Sequence, residues 1–186
     1  MQKSLSVFLL LAVSLCAQSA QAQRFFTRDG KVRFFSEAKL ENIEAVNKSG
    51  TAVFDIATGK MEWKVLIKNF LFEKALMQEH FNENYIESDK YPKAIFKGKI
   101  NEKIDFTKNG TYDISATGDF TLHGVTKART LKGKIAVNQA NLSITTDFDV
   151  ALADHKIEVP QIVFVKIAQI IKVKNKYTFT PYVAKK

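Results

Sequence analysis

Three histidines, His80, His123 and His155, are the side chains best suited to acid, base or metal chemistry in this chain, yet their placement favours none of those uses. Metal ligands recur one helical or strand repeat apart, whereas these fall on a predicted helix, a hairpin turn and a loop. Asp154 and His155 are sequence neighbours, so their side chains diverge. There is no nucleophile elbow, no glycine-rich phosphate loop and no paired-carboxylate signature. The single cysteine, Cys16, lies in an apolar leader. No catalytic residue and no metal ligand is therefore assigned.

What the spacing supports is an apolar surface hidden from water. From Thr111 to Val137 the chain reads as a β-hairpin: Tyr112, Ile114, Ala116, Gly118 and Phe120 share one face, and Leu131, Gly133, Ile135 and Val137 continue it after a tight turn at Leu122-His123-Gly124-Val125. Small residues on that face suit a barrel with space inside. They equally suit bulges or close packing. On the first reading the expected cavity lining is Trp63, Phe96, Ile100, Tyr112, Ile114, Ala116, Gly118, Phe120, Leu131, Ile135, Ile144 and Phe148. Ala116 and Gly118 would leave room for a ligand, so Gly118→Leu is expected to weaken binding more than folding.

The elements that must position these residues follow from the same periodicity. Arg24 to Glu37 offers two extended pieces broken by a turn at Asp29-Gly30, and Ala38 to Gly50 is an undetermined loop or strand. Thr51 to Ala57 and Met61 to Lys68 form a second hairpin around Thr58-Gly59-Lys60, with Met61, Trp63, Val65 and Ile67 inward. The period then changes. Phe70, Met77, Phe81 and Tyr85 recur at helical spacing, so one helix is predicted from about Phe70 to Asn84, with Met77 and Phe81 as possible lid contacts to a ligand. Tyr91-Pro92 restores extended chain. Strands follow at Lys93 to Ile100, across the hairpin, at Leu142 to Val150 and at Ile171 to Phe179. Ala151 to Pro160 reads as a loop, and Gln161 to Ala168 is ambiguous. About eight strands, one helix and hairpin-length links predict an all-β antiparallel up-and-down barrel with a helix packed against it.

Lys3, the apolar run Val7 to Val13 and Ala20-Gln21-Ala22 have the pattern of a secretory leader cut after Ala22, leaving residues 23–186 as one domain. A lipidated Cys16 is disfavoured by Leu15 before it. The whole chain carries +9. The remaining 164 residues hold 27 basic and 19 acidic side chains, a balance of +8. Export to the periplasm or beyond makes an anionic membrane surface, and not nucleic acid, the expected partner of that charge. Oligomeric state has no signature.

Two stretches carry a family resemblance. HFNENYIESDKYPKAIFKGKI, His80 to Ile100, and GDFTLHGVTKARTLKGKI, Gly118 to Ile135, resemble the two signature regions of the YceI-like family, and the likeness extends more loosely from Arg28 to Phe179. The resemblance implies an exported, lipocalin-like antiparallel barrel with an elongated apolar cavity for polyisoprenoids or other long amphiphiles. Leu122, Gly124, Val125 and Thr126 occupy the family's strand-joining turn. It implies no catalytic residues and no cofactor beyond a non-covalently held lipid. Three functions remain open: a carrier of a long-chain amphiphile, a periplasmic enzyme or chaperone-like factor acting on lipid-derived substrates, and a carbohydrate-binding module. The last needs exposed aromatic platforms, whereas Trp63 is expected inward.

Overall fold

The computed structural model describes residues 24–138, 141–160 and 166–182. The expected leader, the cut after Ala22 and Cys16 lie outside them, as does 161–165 of the ambiguous stretch. The strands are β1 (Arg24–Glu37), β2 (Asn42–Asp55), β3 (Lys60–Leu66), the two-residue β4 (Leu71–Phe72), β5 (Lys93–Ile100), β6 (Gly110–Leu122), β7 (Val125–Asn138), β8 (Asn141–Ala151) and β9 (Ile170–Pro181). Every pairing is antiparallel, and β1 bonds both β2 and β9, so the eight long strands close into an up-and-down barrel with β4 added beside β2. Closure leaves no long unpaired edge.

Period-two alternation dictates the two faces. In β6, Ile114, Ala116 and Phe120 are buried while Thr111, Asp113, Thr117 and Asp119 are exposed. The outer face is charged and the inner apolar, the reverse of a barrel embedded in lipid. No described helix is long and apolar enough to cross a membrane.

Two expected elements differ. β1 is a single strand that bends, with its register against β2 shifting on either side of Gly30. The bend is where Tyr177 crosses: a Cβ on Gly30 would lie 2.1 Å from its ring. The predicted helix is shorter than expected. Residues Ile67–Asn69 form a 3-10 turn, Leu71–Phe72 pair with Val46 and Ala45 of β2, and only then does α1 (Ala75–His80) begin, ending in a π-helical turn at Phe81–Tyr85. Strand pairing takes the backbone hydrogen bonds that a longer helix would use.

The interior divides into two halves. Away from α1, Phe54, Phe96, Phe179, Leu131, Ile135 and Ile144 are essentially inaccessible, and Phe106 caps Phe54 at 5.8 Å between ring centroids. Each such side chain contributes about 1.5–3 kcal/mol on burial. This plug stabilises the barrel, so the other half can be hollow.

Candidate functional site

The hollow half is a cavity of about 490 Å³. Its walls come from the strand ends nearest α1: Phe34 and Val32 of β1, Val65 and Trp63 of β3, Ala94 of β5, Phe120 of β6, Phe148 and Val150 of β8, Ile171 and Val173 of β9. Trp63 is the floor. Its indole stacks on Phe96 and Tyr177 of the plug, at 5.9 and 6.3 Å, and meets Phe120 and Phe148 of the cavity at 5.7 and 6.5 Å. Phe34 builds one wall with Phe70, Phe72 and Phe81 at 5.2, 5.6 and 5.4 Å. Met77 and Leu76 of α1 close over it.

Polar groups lie on segments at the mouth: Ser36, Glu41, Lys74, His80, Tyr85 and Lys166. Ser36 accepts the Ala168 N–H at 2.9 Å. Lys74 donates to Glu41 at 2.8 Å, and that hydrogen bond, with the carboxylate's charge, raises the ammonium pKa and keeps it charged. The pair ties the start of the lid to the β1–β2 connection.

Of the residues expected to line a cavity, Trp63, Phe120 and Phe148 do so, and both lid residues, Met77 and Phe81, face it. Phe96, Ile100, Ile114, Ala116, Leu131, Ile135 and Ile144 are inward and buried but belong to the plug, so the structure gives them packing contacts and not cavity lining. Tyr112 is half-buried at the plugged end, its hydroxyl donating to the Lys108 carbonyl at 3.3 Å.

The small inner residues also need correcting. A Cβ on Gly118 would meet the Lys97 carbonyl oxygen at 2.1 Å, and one on Gly133 the Thr145 carbonyl oxygen at 2.2 Å. Gly98 makes room for the Phe96 ring, 2.6 Å from the Cβ position. Backbone and the protein's own rings occupy the space, so Gly118→Leu would strike the sheet and cannot separate binding from folding.

The histidines form a clasp at the rim. Both His123 ring nitrogens face acceptors, the His155 carbonyl and a Glu87 carboxylate oxygen, each at 3.0 Å. Tyr91 packs edge-on against His123 at 4.3 Å. His155, 1% exposed, donates Nδ1–H to the Val125 carbonyl at 3.2 Å. Glu87, His123 and Lys156 all adopt left-handed backbone, with φ of 46°, 50° and 54°. The clasp holds three strained corners together. His80 stands apart, exposed on the lid. Among the described residues no group of three His, Cys, Asp or Glu side chains could hold a metal.

A YceI-like domain model matches residues 19–179. The chain belongs to that family. Among solved structures, the YceI-like barrel is similar to a polyisoprenoid binding domain from Saccharophagus degradans implicated in plant cell wall breakdown, with TM-score 0.73, 9% identity, and 87% of this chain and 100% of that one covered. Burkholderia cenocepacia BcnA gives TM-score 0.68 at 16% identity, covering 80% and 95%. A Campylobacter jejuni YCEI protein gives 0.61 at 20%, covering 80% and 90%. At such identities these likenesses establish the fold. No curated protein matches the chain.

Sequence reasoning missed much of the lining of this YceI-like cavity, including Phe34, Val65, Phe72, Val150, Ile157 and Val173. A usable signal was present. In an up-and-down barrel the ends of β1, β3, β6 and β8 lie level with the starts of β5, β7 and β9, so inward residues there share one height.

Proposed function

We propose that the chain is an exported, non-catalytic carrier that holds one long-chain amphiphile, a polyisoprenoid, quinone-like lipid or fatty acyl chain, tail inward and head group at the mouth. The observation that carries this reading is the apolar cavity, blind at Trp63 and polar only along the segments at its mouth. Burying about twelve methylenes yields on the order of 10 kcal/mol gross, against an association cost of roughly 4–15 kcal/mol. Short apolar metabolites fall at or below that cost, whereas each methylene a longer chain buries adds about 0.8 kcal/mol toward exceeding it. The name of the Saccharophagus degradans domain supports a polyisoprenoid among these cargoes, and the leader pattern of residues 1–22 supports export.

Native mass spectrometry of protein purified without detergent, followed by organic extraction, tests the proposal. A stoichiometric lipid in the extract is the expected result. Protein that stays empty after incubation with lipid extract of its host would contradict it.

A further inference from the structure

The chain's positive charge is unevenly used. At the mouth Lys74 is paired with Glu41 and Lys172 with Glu37. On the outer wall formed by β1, β9, β8 and β7, cations instead face one another: Lys31 lies directly opposite Lys176, and Arg33 opposite Lys174. Like charges opposite one another across strands destabilise a sheet. Arg33, Lys174 and Lys134 are relieved by Glu44, Asp147 and Asp113. Lys31, Lys132 and Lys176 have no ion pair among the described residues. The wall forms a shallow groove of about 600 Å³ lined by six cations and two carboxylates.

This stripe runs into an apolar lip. β9 begins at Ile170, 57% exposed, and the β1–β2 connection carries Leu40, 70% exposed. The Glu37–Lys172 ion pair joins β1 to β9 at this end, where Phe35 pairs with Lys172, and Ile167 and Ile171 line the cavity. Exposed apolar residues beside unpaired lysines match a lipid surface, where apolar groups enter the interface and ammonium groups meet phosphates.

We propose that the β1–β9–β8–β7 wall docks on an anionic bilayer, placing the Leu40–Ile170 lip and the cavity mouth against the membrane from which cargo is taken or to which it is returned. This rests on the carrier reading for its purpose and on charge and exposure for its geometry. Opposed lysines also occur on β3 and β5, where Lys60 faces Lys99. The β1–β9–β8–β7 wall differs in gathering six cations into one groove on the strands that lead to exposed Ile170 and Leu40, and anionic head groups supply counter-charge to its unpaired lysines.

Vesicle flotation tests it, using phosphatidylcholine alone and phosphatidylcholine mixed with phosphatidylglycerol. The wild type binds the anionic vesicles and releases them as salt rises. K31Q/K132Q/K176Q weakens binding by about a hundredfold, each lysine near the surface contributing roughly a fivefold effect. K60Q/K64Q/K99Q, with the same change in net charge on the β3–β5 side, retains most of it. Equal losses in both variants, no binding to anionic vesicles, or binding of inorganic polyphosphate without binding of vesicles each overturn the proposal. Extraction of a stoichiometric lipid from K31Q/K132Q/K176Q shows the cavity intact, so loss of docking and failure of the carrier reading are separable.

Discussion

At the scale of single residues, burial decides the chemistry. His155 is enclosed by the β6–β7 turn and Phe120. Desolvation pushes its pKa below the ordinary 6.5, with Arg129 acting in the same direction and hydrogen bonds to Val125 and Leu122 acting against it. The folded ring therefore stays neutral where an unfolded one takes up a proton. As pH falls below 6.5 the unfolded chain binds more protons, so stability declines and levels off only below the lowered native value. Denaturant melts at about pH 7 and about pH 5 should show wild type losing more stability than His155→Gln. An identical loss in both would show that this histidine does not couple. The same scale explains a misreading of glycine: an absent Cβ says that something comes close, without saying what. Gly118 answers to the Lys97 backbone and Gly98 to a ring of the same strand.

At the scale of elements, the lid is the weakest part. α1 has six residues, none buried, and Lys74 at its N-cap makes no side-chain capping bond. An isolated helix of this length is unstable in water, so the lid depends on the Glu41–Lys74 pair and the contacts of Met77 and Phe81. Amide exchange should be fastest in 75–80 in the empty protein and slow markedly when cargo fills the space beneath. Equal protection with and without cargo would make α1 a fixed cover. The strands were legible because alternation tells inside from outside, and the helix was overextended because Phe70 fits a helical stripe as well as it fits the buried turn it occupies. Periodicity could not reveal that Leu71 and Phe72 would pair with β2.

At the scale of the molecule, the barrel is half plug and half vessel. Alternation gives the face of a strand but not height along the barrel axis, which is why the plug residues Phe96, Leu131 and Ile135 looked the same as Phe120 and Phe148. Trp63 marks the boundary, and it is the protein's one tryptophan. Its emission therefore reports directly on the floor. Titrating a series of prenols or fatty acids of increasing length while recording Trp63 fluorescence tests the hollow most directly. Affinity should rise about fourfold per added methylene, then stop rising once the tail reaches the indole. An affinity that does not depend on chain length, or a tryptophan signal that never responds, would contradict a tail-inward cargo.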